Sequence, residues 1–218
     1  MKKTGVLFDM DGLMFDTQQL YDNANKEIAR TVYGFEISRE MLLAITGRSG
    51  EDLYATVNRF RPELDAREYI RLIFDHVAKK VETDLIIMPG LYDLLSWLSQ
   101  QDVRLGLTSG SDRSIVENNL RCSGLRECFS GIICGDEIVA GKPDPEGYLK
   151  TAALIGCRPE DCYVLEDSPN GILAGHRAGC SVIMVPNGIE PDAEIRSLCA
   201  GIYPSLSEVR QAMEAGLL

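Results

Sequence analysis

Strand-like segments alternate with helical patterns along this chain, and that alternation constrains the fold more than any other feature. Apolar runs typical of buried strands occupy residues 5–8, 104–108, 131–134, 163–165 and 181–185. Helical patterns lie between most of these runs. Parallel strands need a long crossover, which is usually a helix, so the sequence predicts an α/β fold in which helices flank a parallel sheet.

The stretch between the first two predicted strands is far longer than one crossover requires. Its apolar residues recur at the three- and four-residue spacing of amphipathic helices. The sequence therefore predicts a small α-helical domain at residues 18–85, inserted into a core formed by residues 1–17 and 86–218.

Charge and composition exclude several classes of partner. The formal charge of −11 argues against nucleic acid or an anionic membrane, because both require a basic face. No apolar stretch reaches the length of a membrane span, and the seven cysteines include no Cys-x-x-Cys pair. We therefore expect a cytoplasmic protein with reduced cysteines, and we expect a monomer while leaving an oligomer open.

Two carboxylates, Asp9 and Asp11, follow the first strand directly. They repel each other unless a cation or a shared proton compensates. The Asp-x-Asp-Gly sequence also occurs in ordinary turns, so the pair alone leaves both interpretations open. A calcium loop of the EF-hand type fits poorly, because Leu13, Met14 and Leu20 occupy positions that need an oxygen ligand, glycine and glutamate.

Further polar residues follow the later strands, where ligands of parallel sheets bind. Each has an ordinary alternative, such as a helix cap or a solvated loop cation. Together, however, they offer carboxylates for a hard cation such as Mg²⁺ and hydroxyls, amides and a lysine for a phosphate group. This combination favours a phosphoryl-transfer site. Its members are Thr108, Ser109, Gly110, Ser111, Lys142, Glu166 and Asp167.

The ordered motifs of this chain resemble those of the haloacid dehalogenase superfamily. The resemblance is to the β-phosphoglucomutase-like branch, which carries a helical cap after the first strand. It covers essentially the whole chain and implies a Rossmann-like three-layer core with an inserted helical cap. The matching stretches are residues 9–17, 107–109, 141–145 and 166–171.

The resemblance implies a role for each catalytic residue. Asp9 is implied to be the nucleophile that forms an aspartyl-phosphate, while Asp11 first protonates the leaving alcohol and then activates water. Ser109 is implied to hold a phosphoryl oxygen, and Lys142 to balance the charge of Asp9 and the phosphate. These two residues are also expected to bind substrate phosphate, together with Thr108 and Gly110.

The resemblance also implies a Mg²⁺ site and a cap loop that closes over the core. Asp9, the Asp11 backbone carbonyl and Asp167 are the implied ligands, with Glu166 as a further ligand or as support. Arg48, in the predicted loop of residues 46–49, is a candidate contact for a phosphate or a sugar hydroxyl. A surface arginine without that role is equally consistent with the sequence.

The chain departs from the mutases of this branch in its cap. Those mutases carry a histidine, a lysine and an arginine where this chain has Tyr21, Thr46 and Gly50. A mutase must hold a bisphosphate and shield its aspartyl-phosphate from water, so these replacements favour hydrolysis. We therefore predict a magnesium-dependent phosphatase acting on a small phosphorylated metabolite, such as a sugar phosphate. The alternatives are a β-phosphoglucomutase-type isomerase and a catalytically idle protein that binds a phosphorylated ligand.

Overall fold

A computed structural model describes residues 3–46, 48 and 50–218 of the chain. Gly47 and Ser49 of the predicted cap loop lie outside the described residues. The chain divides into two compact units, one formed by Met1–Asp16 with Ile86–Leu218 and the other by Thr17–Leu85. Among the described residues, none of the helices combines the length and the apolar character that crossing a membrane requires.

The smaller unit is helical, as its apolar periodicity predicts. Within it, α1 and α4 are joined in the interior by a hydrogen bond of 3.0 Å from the Tyr69 hydroxyl to Oδ1 of Asn25. Asp65 begins α4 by accepting hydrogen bonds from the amides of Arg67 and Glu68. The helices are α1 (Thr17–Thr31), α2 (Arg39–Ile45), α3 (Gly50–Phe60) and α4 (Ala66–Asp84).

The larger unit is built on a six-stranded sheet, which confirms the predicted α/β fold. The spatial order of its strands is β3-β2-β1-β4-β5-β6, and each neighbouring pair is parallel. The strands are β1 (Gly5–Phe8), β2 (Arg104–Thr108), β3 (Gly131–Ile133), β4 (Cys162–Glu166), β5 (Ser181–Met184) and β6 (Cys199–Ile202).

Strand β6 is absent from the sequence prediction. It lies at the edge of the sheet, and its four residues, which include an alanine and a glycine, are only partly buried or exposed. Such a strand lacks the apolar run that marks β1 or β4. Sequence periodicity detects buried strands because burial requires apolar side chains. A partly exposed edge strand such as β6 does not have this requirement.

Helices connect the strands of the larger unit and cover the sheet. The end of α6 and the start of α8 agree with the sequence signals. Gly124 follows the last residue of α6 with a φ of +70°, and Ser168 begins α8 by accepting a hydrogen bond from the Gly171 amide. The helices are α5 (Leu91–Leu98), α6 (Arg113–Ser123), α7 (Glu146–Leu154), α8 (Pro169–Arg177), α9 (Ala193–Leu198) and α10 (Leu206–Glu214).

The register of the sheet brings the ends of three strands together. Phe8, the last residue of β1, pairs with Leu107 of β2 on one side and with Leu165 of β4 on the other. The residues that follow these three positions therefore emerge at the same edge. Asp9, Thr108 and Glu166 occupy those positions, so the sheet itself assembles the polar residues that the sequence singles out.

Candidate active site

Asp9 occupies the first position after β1 and is only 5% exposed. Its amide donates to the carbonyl of Leu165 over 3.1 Å, and its carboxylate accepts a hydrogen bond from Nζ of Lys142. The chain then turns sharply through Gly12, whose φ is +93°. A Cβ atom at Gly12 would lie 2.1 Å from Oδ2 of Asp167, so glycine allows the turn to pack directly against that carboxylate.

The Asp11 side chain is held by two serines that follow β2. Oδ2 of Asp11 accepts hydrogen bonds from the Ser111 hydroxyl at 2.8 Å and from the Ser109 hydroxyl at 3.2 Å. The Ser111 amide donates to the Ser109 hydroxyl at 3.0 Å. Helix α6 begins at Arg113, so Ser111 does not cap it. The sequence predicts an amide contact or a helix cap at Ser111, and this hydrogen bond to Asp11 is not among those predictions.

Glu166 is fully buried at the end of β4, and both of its carboxylate oxygens accept hydrogen bonds. Its Oε1 accepts from Lys142 Nζ at 2.5 Å and from the Tyr148 hydroxyl at 2.7 Å. Its Oε2 accepts from the amides of Asp167 and Ser168 and from the Ser168 hydroxyl, at 3.0–3.1 Å. With five donors on two oxygens, Glu166 is better suited to supporting the site than to binding a metal directly.

Lys142 joins the two buried acids Asp9 and Glu166. Burial opposes a charged ammonium, but the carboxylates of Asp9 and Glu166 raise the pKa of Lys142 above its ordinary value. Burial likewise opposes a charged Glu166, yet Lys142 and the other donors hold the pKa of Glu166 below its ordinary value. The lysine and this glutamate are therefore an ion pair.

The remaining carboxylates carry more negative charge than Lys142 can balance. Burial raises the pKa of Asp9 well above its ordinary value, and the charges of Glu166, Asp167 and Asp11 act in the same direction against the effect of Lys142. Burial and Glu166 raise the pKa of Asp167 to about 8. Buried acids with raised pKa values need protons or a further cation.

The geometry of the acids fits a small, hard cation. Asp9 and Asp167 can each offer a carboxylate oxygen beside Glu166, and oxygens of the three acids lie within 4.8 Å of one another. A set made only of oxygen donors suits Mg²⁺. The structure thus brings together the predicted residues Asp9, Asp11, Ser109, Lys142, Glu166 and Asp167.

Cys134, Asp136 and Glu137 form a second group whose ligand atoms lie close together. Both acids are already engaged by Arg113, whose amide donates to Asp136 and whose guanidinium pairs with Glu137. Burial raises the pKa of the Cys134 thiol to about 12. This group is therefore a less suitable cation site than the acids at the ends of β1 and β4.

Thr108 and Gly110 differ from the other predicted phosphate-binding residues. The Thr108 hydroxyl lies 2.7 Å from the hydroxyl of Thr151 on α7, and a contact between Thr108 and phosphate stays a prediction. The side chain of Thr108 is buried, so its hydroxyl must find a partner inside the protein. Gly110 is exposed in the loop between the two serines that hold Asp11.

Arg48 belongs to the smaller unit, where its side chain is engaged locally. Its guanidinium donates to Oδ2 of Asp52 at 2.5 Å and to the carbonyl of Ala44 at 2.6 Å. A contact between Arg48 and substrate stays a prediction.

Tyr148 and Ser168 are site residues that sequence reasoning missed. Tyr148 reaches Glu166 from α7, and Ser168 both begins α8 and donates to Glu166. The Ser168-Pro169 sequence predicts the start of a helix. It does not indicate that the Ser168 hydroxyl also donates a hydrogen bond to Glu166. Nothing in the sequence around Tyr148 distinguishes it from a core aromatic residue.

Comparison with known proteins identifies proteins that are similar to this chain. Residues 6–185 match the family model described as "Haloacid dehalogenase-like hydrolase". A Drosophila melanogaster protein named probable pseudouridine-5'-phosphatase is 34% identical over 203 residues, covering 85% of this chain and 83% of that protein. Hexitol phosphatase B of Escherichia coli is 30% identical over 183 residues, covering 83% of this chain and 82% of that enzyme.

Solved structures share the fold at lower sequence identity. The crystal structure of β-phosphoglucomutase from Clostridium difficile superimposes with a TM-score of 0.75. The match covers 96% of this chain and 93% of that one, at 22% identity. At this identity the likeness concerns the fold alone.

Proposed function

Because the chain belongs to the haloacid dehalogenase-like hydrolase family, as its motifs predict, we propose that it is a Mg²⁺-dependent phosphatase that hydrolyses a small phosphomonoester such as a sugar phosphate. The observation that carries the proposal is the buried ion pair of Lys142 with Asp9 and Glu166, beside the acid Asp167. The named relatives are phosphatases, which supports a phosphoric monoester hydrolase.

Asp9 is the proposed nucleophile. Its carboxylate oxygen attacks phosphorus and displaces the alkoxide of the substrate, which leaves as the alcohol after taking a proton from Asp11. Water then attacks the phosphorus of the aspartyl-phosphate while Asp11 takes its proton, and this step releases inorganic phosphate and regenerates Asp9. Lys142 stabilises the negative charge on Asp9 and on the transferring group.

Asp11 is the proposed general acid and base. The hydroxyls of Ser109 and Ser111 both donate to its Oδ2, so they fix the orientation of the carboxyl group before substrate arrives. When substrate binds, the single Ser109 hydroxyl proton is proposed to turn from Asp11 to a phosphoryl oxygen, while Ser111 keeps its hydrogen bond to Asp11. The exposed loop residue Gly110 offers its amide to the same group.

Mg²⁺ is the cation that the acids fit best. Asp9, Asp167 and the backbone carbonyl of Asp11 are its proposed ligands, while Glu166 fixes Lys142 and the start of α8. When bound, the ion neutralises phosphate charge and orients the phosphoryl group for in-line attack. The raised pKa values of Asp9 and Asp167 are consistent with cation binding, because a bound cation favours the charged form of both acids.

Hydrolysis is favoured over isomerisation by the residues of the smaller unit. The three positions at which related mutases carry cations hold Tyr21, Thr46 and Gly50. The Tyr21 ring packs edge-on against Phe74 with centroids 5.8 Å apart, and the Thr46 hydroxyl donates to the Leu42 carbonyl. None of these three can supply the charge that would hold a second phosphate group of a bisphosphate.

A phosphate-release screen tests the proposal. Purified protein is assayed with sugar, polyol and nucleotide monophosphates, with Mg²⁺ and with chelator, alongside Asp9→Asn and the exposed control Asp102→Asn. We expect Asp9→Asn to lower Mg²⁺-dependent release by about a thousandfold or more, and Asp102→Asn to retain it. Undiminished release by Asp9→Asn would refute the mechanism. Conversion of glucose 1-phosphate to glucose 6-phosphate with little free phosphate would favour the isomerase instead.

A further inference from the structure

Glu146, in the first turn of α7, binds the backbone of the loop that precedes it. Its carboxylate accepts hydrogen bonds from two consecutive amides, those of Val139 at 3.0 Å and of Ala140 at 2.9 Å. Lys150, one turn further along α7, donates to Glu146 at 2.6 Å and to the carbonyl of Glu137 at 2.8 Å. Residues 137–140 are therefore tied to α7 by two side chains.

These polar contacts replace apolar packing in this loop. Val139 is 96% exposed, and residues 136–141 include no fully buried side chain. A loop without buried apolar contacts opens at little cost unless hydrogen bonds hold it. Lys150, Ala140 and Val139 lower the pKa of Glu146 to about 2, so the carboxylate keeps its charge under ordinary assay conditions.

The loop matters because Lys142 lies two residues beyond Ala140. Its Nζ reaches both Asp9 and Glu166 through a side chain that is 19% exposed. Lysine has a flexible stem, so its placement depends on the backbone from which it extends. Displacement of a catalytic group by about 1 Å can cost two orders of magnitude in rate.

We propose that Glu146 is a positioning residue, which holds the loop of residues 137–142 on α7 and thereby fixes Lys142 between Asp9 and Glu166. Glu146 acts through Lys142 and does not touch the phosphoryl group. The effect on turnover rests on the proposed phosphatase function. The placement of Lys142 does not, and it can be measured without any substrate.

The test compares Glu146→Gln with Glu160→Gln, an exposed glutamate whose nearest ion pair, with Arg158, is also exposed. A glutamine at 146 keeps the size of the side chain but turns one of its two acceptor oxygens into a donor facing a backbone amide. Circular dichroism and thermal unfolding establish that both variants fold. Lys150→Met, which removes the second side chain that ties residues 137–140 to α7, serves as a further variant if Glu146→Gln is unstable.

The first readout is the reactivity of the Lys142 amine toward an acylating reagent, followed by peptide mass spectrometry. The exposed Lys26 of the smaller unit is the internal reference. We expect labelling of Lys142 relative to Lys26 to rise about threefold or more in Glu146→Gln, because the ammonium leaves its buried partners, and to stay unchanged in Glu160→Gln. Unchanged labelling in Glu146→Gln, or in Lys150→Met where it is used, would overturn the proposal.

The second readout is kcat/KM for an aryl phosphate in wild-type and Lys142→Arg backgrounds. We expect Glu146→Gln to lower kcat/KM about tenfold in the wild type and less than twofold beside Lys142→Arg, since effects that act through one residue are not additive. Equal losses in both backgrounds would refute action through Lys142. If the wild type releases no phosphate, the proposed function fails, and amine labelling still decides whether Glu146 positions Lys142.

Discussion

The Tyr148 hydroxyl and the Lys142 ammonium donate to the same oxygen, Oε1 of Glu166. Tyr148 is 1% exposed, and Nζ of Lys142 lies 5.3 Å from the centre of its ring. The phenol therefore does two things at once: it supplies a hydrogen bond that replaces water at a buried carboxylate, and its ring lines one side of the lysine. Glu166 can then remain charged in the interior and balance Lys142.

Tyr148→Phe removes only the hydroxyl of this arrangement. Hydrogen bonds to charged groups contribute about 1.5–3 kcal/mol, so we expect the free energy of unfolding to fall by about that amount. We also expect kcat/KM to fall severalfold, because Glu166 is less firmly oriented toward Lys142. Urea unfolding and steady-state kinetics measure the two effects.

Tyr92→Phe is the matched control. The Tyr92 hydroxyl donates to the carbonyl of Ser123 over 3.0 Å, but that side chain is half exposed and water can replace the bond. We expect its loss to cost less than about 0.5 kcal/mol. If the free energy of unfolding falls equally in the two tyrosine variants, the hydrogen bond to Glu166 contributes no more to stability than an exposed one, and the prediction is wrong.

Gly12→Ala tests the close approach of the β1 turn to Asp167. Alanine at this position must adopt a φ of +93° and would also place its Cβ against the carboxylate. Gly124→Ala is the control, since its φ is +70° and nothing lies within 4 Å of its Cβ position. The control carries the backbone strain of about 1 kcal/mol without the clash.

We expect the two glycine variants to differ in function more than in stability. Gly12→Ala should lose most Mg²⁺-dependent phosphate release and require a higher Mg²⁺ concentration, because Asp167 is displaced. Gly124→Ala should retain both. A magnesium titration of activity separates these outcomes, and equal magnesium requirements would show that the displaced carboxylate is not part of the cation site.

The sequence predicted the acids of the site because their position depends on strand ends. Apolar runs locate β1, β2 and β4, and parallel pairing then places whatever follows them at one edge of the sheet. Asp9, Ser109 and Glu166 follow this logic. This placement can be predicted without any detail of side-chain packing. For that reason, residues that are individually weak indicators of a site together indicated the same edge of the sheet.

The contacts of Thr108, Ser111 and Tyr148 could not be predicted in the same way. Buried strands of a parallel sheet are apolar on both faces, so the sequence does not reveal toward which face Thr108 points. Its hydroxyl is turned toward Thr151 on α7. The contact of Ser111 with Asp11 spans 100 residues and depends on how two loops meet. The contact of Tyr148 with Glu166 spans 18 residues and depends on how α7 packs against the sheet.

The stability of the metal-free protein should depend on pH through Asp167. Burial and Glu166 raise its pKa from 3.8 to about 8 in the folded chain. A carboxyl group whose pKa is raised on folding stabilises the protein fully below its unfolded pKa, and this stabilisation is lost as the pH rises through its folded pKa. Stability should therefore decline between about pH 4 and pH 8 in the absence of a cation.

Magnesium should reverse this loss, because it binds the deprotonated acids and competes with their protons. We expect millimolar Mg²⁺ to raise Tm by about 3 °C at pH 8.5, against a smaller shift at pH 6. Asp167→Asn should remove much of both the pH dependence and the Mg²⁺ shift, whereas the exposed control Asp102→Asn should keep them. Thermal unfolding with chelator and with Mg²⁺ at the two pH values checks this, and an equal Mg²⁺ shift in Asp167→Asn would place the cation elsewhere.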